Sequence, residues 1–447
     1  MKILFISLGC DKNLVDTEEM LGLLAKHDFT LTDDEYEADV IIINTCCFIH
    51  DAKEESIETI LEMSRMKEEG NCRLLVVTGC LGMRYKDEIL QEIPEIDVLV
   101  GTSSIDKIVD AINSGLANGD NIYMDDPDRM PIVQADRISA TGGWYEYLKI
   151  AEGCDKNCTY CIIPKVRGRY RSYKIDYLMA RARDLVAGGA KEIILVAQEV
   201  TRYGMDLPGK HRLLPKLIKS LASIQGLEWI RLLYCYPEEI TDDLIYLMKN
   251  EPKLLNYIDM PIQHASDPVL KQMGRKTNKK SIEKIIDKLK REIPDICIRT
   301  TLITGFPGET PYDHSVVMDF VKYNAFDRLG VFTYSEEEGT VAARFNHKVP
   351  EELKTERRDE IMTLQQEISR KKSQSLIGKR MKVIVDGYLP EEDVYVCRSF
   401  RDAPGVDGQV FVHPGADTSR EIMSGTFLYT VITGATEYDL IGDIAEE

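Results

Sequence analysis

No run of 18 apolar residues occurs anywhere in this chain of 447 residues, which leaves no segment of the length a membrane-spanning helix needs. The opening Met1 to Gly9 is too short and wrongly flanked for an export signal. The expectation is a cytosolic protein without a membrane partner. No internal repeat or low-complexity tract stands out. Positive charge is also scarce, with 56 Lys+Arg against 75 Asp+Glu and a formal net charge of −19. The deficit sits at the two ends: residues 1 to 135 carry 11 basic against 28 acidic side chains, residues 136 to 377 carry 39 against 34, and residues 378 to 447 carry 6 against 13. A protein held by phosphate neutralisation is expected to show a basic face. Acidic flanks suit a basic protein partner, or simply solubility.

Cysteine is not scarce. There are 11, an odd number, and without an export signal they argue for reduced thiols and metal ligation rather than a disulfide framework. Cys154, Cys158 and Cys161 follow the run Tyr147-Leu148-Lys149-Ile150 with the spacing Cys-x3-Cys-x2-Cys. Three thiolates at one loop leave a four-iron cluster one ligand short, and the open iron is where a cluster of this kind binds and reduces S-adenosylmethionine. The alternative, a structural zinc, usually draws on paired Cys-x2-4-Cys or His ligands. No second Cys pair or His-x3-5-His lies nearby.

A second trio comes from distant places. Cys10 follows Lys2 to Gly9, Cys46 follows Val40 to Thr45, and Cys80 follows Leu74 to Gly79, each an apolar run of the kind that makes a buried parallel strand. Helical stretches lie between, Leu14 to Lys26 and Ala52 to Glu69, so the strands are expected to be parallel with their carboxyl ends on one edge. Cys47, Cys72, Cys235, Cys297 and Cys397 lack such a setting and read as small buried hydrophobes.

The alternation continues with a fourth strand at Asp97 to Gly101 and a helix from Ser104 to Asn113, giving a small doubly wound parallel sheet. Gly119 to Arg137, rich in Asp, Pro and Met, reads as a linker. From Tyr145 onward six strands are expected, at 147 to 150, 191 to 196, 229 to 234, 256 to 262, 296 to 303 and 328 to 332. Helices are expected between them at 175 to 188, 214 to 225, 240 to 249, 279 to 292 and 313 to 324. Six such units suit a partial parallel (β/α)6 barrel, whose chemistry gathers at the strand carboxyl ends. A charged helix, Glu351 to Leu376, leads into short runs at 381 to 385, 394 to 396, 409 to 412, 427 to 432 and 440 to 442, which read as a small antiparallel barrel. The expected domains are 1–135, 136–376 and 377–447.

Several side chains stand at the expected rim. Tyr160 is suited to lie against an adenine, or to pack the loop. Glu199 is suited to receive an ammonium group, or to stand as an ordinary solvated carboxylate. Gly305 and Pro307, in Gly305-Phe306-Pro307-Gly308, allow close backbone approach to a ligand, or make a plain turn. Arg167, Arg169 and Arg171 form a basic cluster, either a binding edge for a carboxylate or a solvated loop. His264 reads better as a satisfied structural histidine than as a proton shuttle.

Taken together, the order of the two trios and the terminal barrel resembles the radical S-adenosylmethionine methylthiotransferases over essentially the whole chain. Within them it most resembles the branch that modifies an aspartate of ribosomal protein S-12, on residues Ala197 to Asp206, Tyr234-Cys235-Tyr236-Pro237 and Ala403 to Gly408. Glu199-Val200 and Ser172-Tyr173 depart from that pattern. The resemblance implies that Cys10, Cys46 and Cys80 hold a second 4Fe-4S cluster whose open iron carries the sulfur to be inserted. It also implies that the terminal segment is an OB-like TRAM domain, and that two S-adenosylmethionine molecules are used, one as methyl donor and one as radical source. Tyr160, Glu199, Gly305 and Pro307 are the expected cofactor contacts. The implied partners are the basic protein S-12 through the acidic terminal domain, a low-potential electron donor and a sulfur donor, with tRNA disfavoured. Two readings remain beside it: the same chemistry on an adenosine of tRNA, and a non-catalytic iron-sulfur carrier or ribosome-binding scaffold.

Overall fold

Strands covered on both faces need near-continuous apolar runs, and Val40 to Ile43 and Leu74 to Val77 supply them. In the computed structural model, which describes residues 1–415 and 422–445, Val40–Thr45 and Leu74–Gly79 are buried throughout. They form the centre of a parallel six-stranded sheet ordered Thr30–Leu31, Lys2–Ser7, Val40–Thr45, Leu74–Gly79, Val98–Val100 and Ile122–Tyr123. Val40, Ile42, Leu74 and Val76 pack with Met20 and Leu24 of helix Asp11–Lys26 and with Ile108 and Ile112. Ile41, Ile43, Leu75 and Val77 point the other way, onto Ile60 and Met63 of helix His50–Ser64. The period of two along each strand thus builds two helical layers.

Two of these strands were not expected. Thr30–Leu31 and Ile122–Tyr123 are edge strands of two residues, too short to leave a periodic signal. The second falls inside the stretch read as a linker.

The second sheet carries all six expected strands in parallel, in the order Arg328–Thr333, Cys297–Thr304, Leu254–Asp259, Trp229–Leu232, Glu192–Val196 and Tyr145–Lys149. Its first and last strands do not pair, so the barrel stays open. Helix Asp11–Lys26 crosses from the first sheet to the strand Tyr145–Lys149, and its Val15 shares an apolar cluster with Tyr147, Ile194, Val196 and Tyr257. The N-terminal layer therefore covers the open side of the barrel.

The terminal barrel is closed, with strands in the order Arg380–Leu389, Val394–Ser399, Val410–His413, Leu440–Ile444 and Phe427–Ala435. The expectation of an antiparallel barrel needs correction at one seam: Val410–His413 and Leu440–Ile444 run parallel. An odd number of strands cannot close with every neighbour reversed. This barrel docks on the amino-terminal end of the partial barrel. Glu192, the first residue of its strand, receives Arg398 at 2.7 Å and Arg231 at 2.6 Å. Arg401 reaches Asp327 at 2.6 Å, and the Tyr257 hydroxyl donates to Asp407 at 2.7 Å. Residues 416–421 and 446–447, within the expected terminal domain, lie outside the described residues.

Candidate metal centres

Register brings the first trio together. Ser7 stands opposite Asn44, and Thr45 opposite Gly79, so Cys46 and Cys80 leave neighbouring strands at one level while Cys10 caps helix Asp11–Lys26 beside them. The chain must pass very close at this edge. Gly9 has φ +89°, and a Cβ there would lie 2.8 Å from Cys46 Cβ; at Gly79, φ +92°, it would lie 2.4 Å from Asn44 Oδ1. Asn13 Nδ2 ties the loops by donating to the carbonyls of Leu8 and Thr45, both at 3.0 Å. Burial pushes the Cys46 thiol up to about 12, and the charges of Cys80 and Cys10 add to the shift. Cys80 is raised by burial too, but the Arg167 guanidinium pulls it down.

The barrel trio occupies one loop. The hairpin Ala151–Glu152 with Arg171–Ser172 closes its base, Cys154 N donates to the Gly168 carbonyl at 3.1 Å and Cys161 N to that of Cys158 at 3.0 Å. Burial pushes Cys154 up to about 11, and both Cys154 and Cys161 feel the charge of Cys158. The sulfurs of each trio thus lie within range of one another's charge. Among the described residues no three His, Cys, Asp or Glu side chains are arranged to hold a metal ion. The donor set at both places is three soft thiols, the ligands that iron-sulfur clusters take.

Unpaired polar atoms collect around the barrel trio. Glu199 is fully buried, its pKa pushed up to about 8 by burial although Lys156 Nζ stands 3.6 Å away. Among the described residues its Oε2 has no hydrogen-bond partner, nor have both amide atoms of Gln198 or the Nε and Nη1 of Arg275. Arg275 lies over the Tyr236 ring at 4.3 Å and within the field of Cys158 and Tyr160. Buried polar groups normally find partners. A carboxylate and a guanidinium left open beside three thiols fit a zwitterion with one amino and one carboxylate group.

The other expected contacts divide. Tyr160 meets Phe306 edge-on at 6.4 Å, and its phenol senses Cys158, so it faces the trio. Gly305, φ +71°, has its open side taken by Lys354, whose Cγ lies 2.1 Å from where a Cβ would be. Glu309 accepts from Gly305 N at 2.7 Å and Phe306 N at 3.2 Å. The Gly305–Pro307 turn therefore reaches the trio through the Phe306 ring. His264 Nδ1 accepts from Ser266 N at 2.9 Å and its Nε2 stands 3.6 Å from Glu309, a structural setting. Cys47 and Cys72, Cys235, Cys297, and Cys397 sit in apolar clusters.

The three arginines part company. Arg169 is exposed and pairs with Asp128, Arg171 donates to backbone carbonyls of Arg169 and Arg167, and Arg167 turns inward. Its guanidinium donates to Asn13 Oδ1 at 2.5 Å, Asp16 Oδ2 at 2.9 Å and Glu152 at 3.1 Å. Lys149 completes the set by pairing with Asp16 and Glu152. Two cations and two carboxylates, all buried, thus join the loops of both trios. Burial alone would raise the Glu152 carboxyl, but Lys149 and Arg167 hold it down at about 2. Ile162 and Val166, just after Cys161, sit in the apolar core of the first sheet. Sequence reading missed Arg275, Lys149, Asp16 and Glu152. A lysine inside the run Tyr147 to Ile150 was the available signal, while nothing near Arg275 marks its place.

Three family models match successive parts of the chain. Residues 2–101 match the family described as "Uncharacterized protein family UPF0004", 148–321 the radical SAM superfamily and 377–445 the TRAM domain. A relative from Lachnoclostridium phytofermentans, named ribosomal protein uS12 methylthiotransferase RimO, is 53% identical over 442 residues, covering 99% of both chains. One of the same name from Geobacter sulfurreducens is 48% identical, covering 99% of this chain and 98% of its own. The chain belongs to the ribosomal protein uS12 methylthiotransferase family. The two trios fall inside the first two matched ranges. Solved radical S-adenosylmethionine enzymes share the fold: TsrM from Kitasatospora setae at TM-score 0.57 and 12% identity, covering 76% of each chain, and OxsB at TM-score 0.52 and 12% identity, covering 81% of this chain and 56% of its own.

Proposed function

We propose that this chain attaches a methylthio group to the β-carbon of an aspartate in ribosomal protein uS12, with a 4Fe-4S cluster at each cysteine trio and S-adenosylmethionine at the barrel trio. The carrying observation is Arg167. It stands six residues beyond Cys161, yet its guanidinium donates to Asn13 Oδ1 at 2.5 Å, the same oxygen that the Cys80 Sγ approaches at 3.9 Å. Insertion of sulfur at a carbon radical requires both centres at one place, because the radical cannot wait for a diffusing partner.

When bound, S-adenosylmethionine supplies a carbon radical at a reduced cluster and, from a second molecule, a methyl group. The protein's share is binding and exclusion of water. Cys154, Cys158 and Cys161 hold one cluster and Cys10, Cys46 and Cys80 the other. Glu199 receives the cofactor's ammonium and Arg275 its carboxylate, two charge-assisted contacts that fix its orientation. Tyr160 lies along the adenine, held from behind by the Gly305–Pro307 turn through Phe306.

The terminal barrel, residues 377–447 of the proposed three domains, presents acid to a basic substrate. Glu391, Glu392 and Asp393 are exposed at one turn, whereas Arg398 and Arg401 are spent inward on Glu192 and Asp327. That polarity favours uS12 over tRNA. No helix among the described residues is long and apolar enough to cross a membrane, in keeping with a cytoplasmic enzyme served by a low-potential electron donor and a sulfur donor. Mass spectrometry of uS12 and bulk tRNA from cells lacking the chain tests the reading. The expected result is loss of a methylthio mass from one aspartate with tRNA unchanged, and an unaltered uS12 would overturn it.

A further inference from the structure

Two buried cations stand over two tyrosines that are two residues apart. Arg275 covers the Tyr236 ring beside the barrel trio, as described above. Lys12, two residues after Cys10 and 7% exposed, places its ammonium 3.4 Å from the centroid of the Tyr234 ring. Tyr234 belongs to the barrel rim and Lys12 to helix Asp11–Lys26, which packs on the first sheet, so this pair spans the seam between the two trios. Tyr234 holds φ +57°, a left-handed conformation that a bulky residue adopts only when its surroundings enforce it.

The seam is incompletely paired. Lys12 has three N–H donors, and among the described residues its one hydrogen-bond partner is Asp11, at 2.9 Å. The Tyr234 hydroxyl donates to Asp11 Oδ1 at 3.0 Å, while Asp11 Oδ2 is buried without a partner among the described residues. The Lys12 ammonium, held between the Tyr234 ring and Asp11, therefore keeps donor capacity beyond its single hydrogen bond, and one Asp11 oxygen stands open beside it. A ligand that satisfies both offers an anion to Lys12 and an N–H to Asp11. An aspartate within a polypeptide offers its side-chain carboxylate and a backbone N–H, whereas the base of an adenosine offers N–H groups and no negative charge.

We infer that Lys12 is the specificity-determining residue of the substrate site, receiving the carboxylate of the uS12 aspartate while Asp11 accepts a backbone N–H of the same segment. This rests on the function proposed above. Arg275 then serves the carboxylate of the cofactor and Lys12 that of the substrate, one cation for each trio. The carboxylate is held by its oxygens, which leaves the β-carbon as the part of the side chain turned toward the two centres.

The test is a binding cycle on the holoenzyme with both clusters in place and S-adenosylmethionine present. Fluorescently labelled uS12 and its form with the target aspartate changed to Asn are titrated against the unaltered enzyme and against Lys12→Met and Lys12→Arg, with iron content and thermal melts as checks on folding. Loss of a buried charge-assisted hydrogen bond is expected to weaken binding of unaltered uS12 to Lys12→Met about 10- to 100-fold. The Asn form of uS12 should bind the unaltered enzyme equally weakly, with little further loss on combining the two changes. Lys12→Arg should recover most of the affinity. Additive losses, or an Asn form that binds as well as the Asp form, would overturn the role of Lys12 while leaving the proposed function standing. Failure of the unaltered enzyme to bind uS12 would sink both.

Discussion

The two cysteine trios are assembled by opposite routes. Cys154, Cys158 and Cys161 share one loop eight residues long, so their meeting is a local property of the chain. Cys10, Cys46 and Cys80 meet only because three parallel strands end in register and two glycines, Gly9 and Gly79, permit the approach. The first kind of site survives considerable loosening of the fold. The second is a direct readout of tertiary structure, and it leans on the other through Arg167.

The sharpest way to separate the two is to remove ligands. Changing Cys10, Cys46 and Cys80 to Ala should remove about half of the iron bound on reconstitution and abolish sulfur insertion while reductive cleavage of S-adenosylmethionine persists. The corresponding change of the barrel trio should abolish both, as read by iron analysis and 5′-deoxyadenosine release. Cleavage lost in the first variant despite an intact barrel cluster would break the division of labour.

Next in size is the shared network. Arg167→Met leaves Asp16 and Glu152 with Lys149 as their remaining cation, and breaking a buried charge set in this way costs ~3–5 kcal/mol. Denaturant unfolding should report that loss, and iron loading should fall at both sites rather than one. A variant that lost iron at a single site would show the trios to be uncoupled.

Backbone changes should discriminate more finely. Gly79→Ala puts a Cβ 2.4 Å from Asn44 Oδ1, and Gly153→Ala, at φ +72°, puts one 2.1 Å from the Arg169 carbonyl. The left-handed backbone alone costs ~1–3 kcal/mol in each. The first should deplete iron at the N-terminal trio and the second at the barrel trio, with the other site spared.

The smallest effect is in pH. Folding raises the carboxyls of Glu199 to about 8 and Glu18 to about 7 from the ordinary 4.5, burial being the main cause in both. The folded protein therefore holds these protons more tightly than the unfolded chain. The stability they contribute is complete below pH 4.5 and is lost as pH rises through 7 and 8. Glu152, held near 2, acts oppositely: its contribution is present above 4.5 and lost as pH falls toward 2. Thermal melts of the metal-free chain should accordingly decline between pH 5 and 8, and Glu199→Gln should flatten the upper part of that decline.

Much of this plan is visible in the residues themselves. The buried parallel strands announce themselves by unbroken apolar runs, and a cysteine after each run can be placed on a common edge by topology alone. Edge strands such as Thr30–Leu31 leave no such trace. Buried charge is harder still, because Lys149 and Arg167 look like any solvated lysine or arginine until their partners, Asp16 from helix Asp11–Lys26 and Glu152 from the hairpin Ala151–Glu152, are brought to them by packing. Gly305 illustrates the converse: its open face suggests a ligand, and the long helix Glu351–Gln374 supplies Lys354 to fill it.

The docking of the terminal barrel on the amino-terminal end of the open barrel fixes a distance. With Arg398, Arg401 and Asp407 locked into that end, the module cannot swing like a tethered arm; it travels with the catalytic body as one piece. A partner that engages both the terminal barrel and the rim must therefore span from one pole of the molecule to the other.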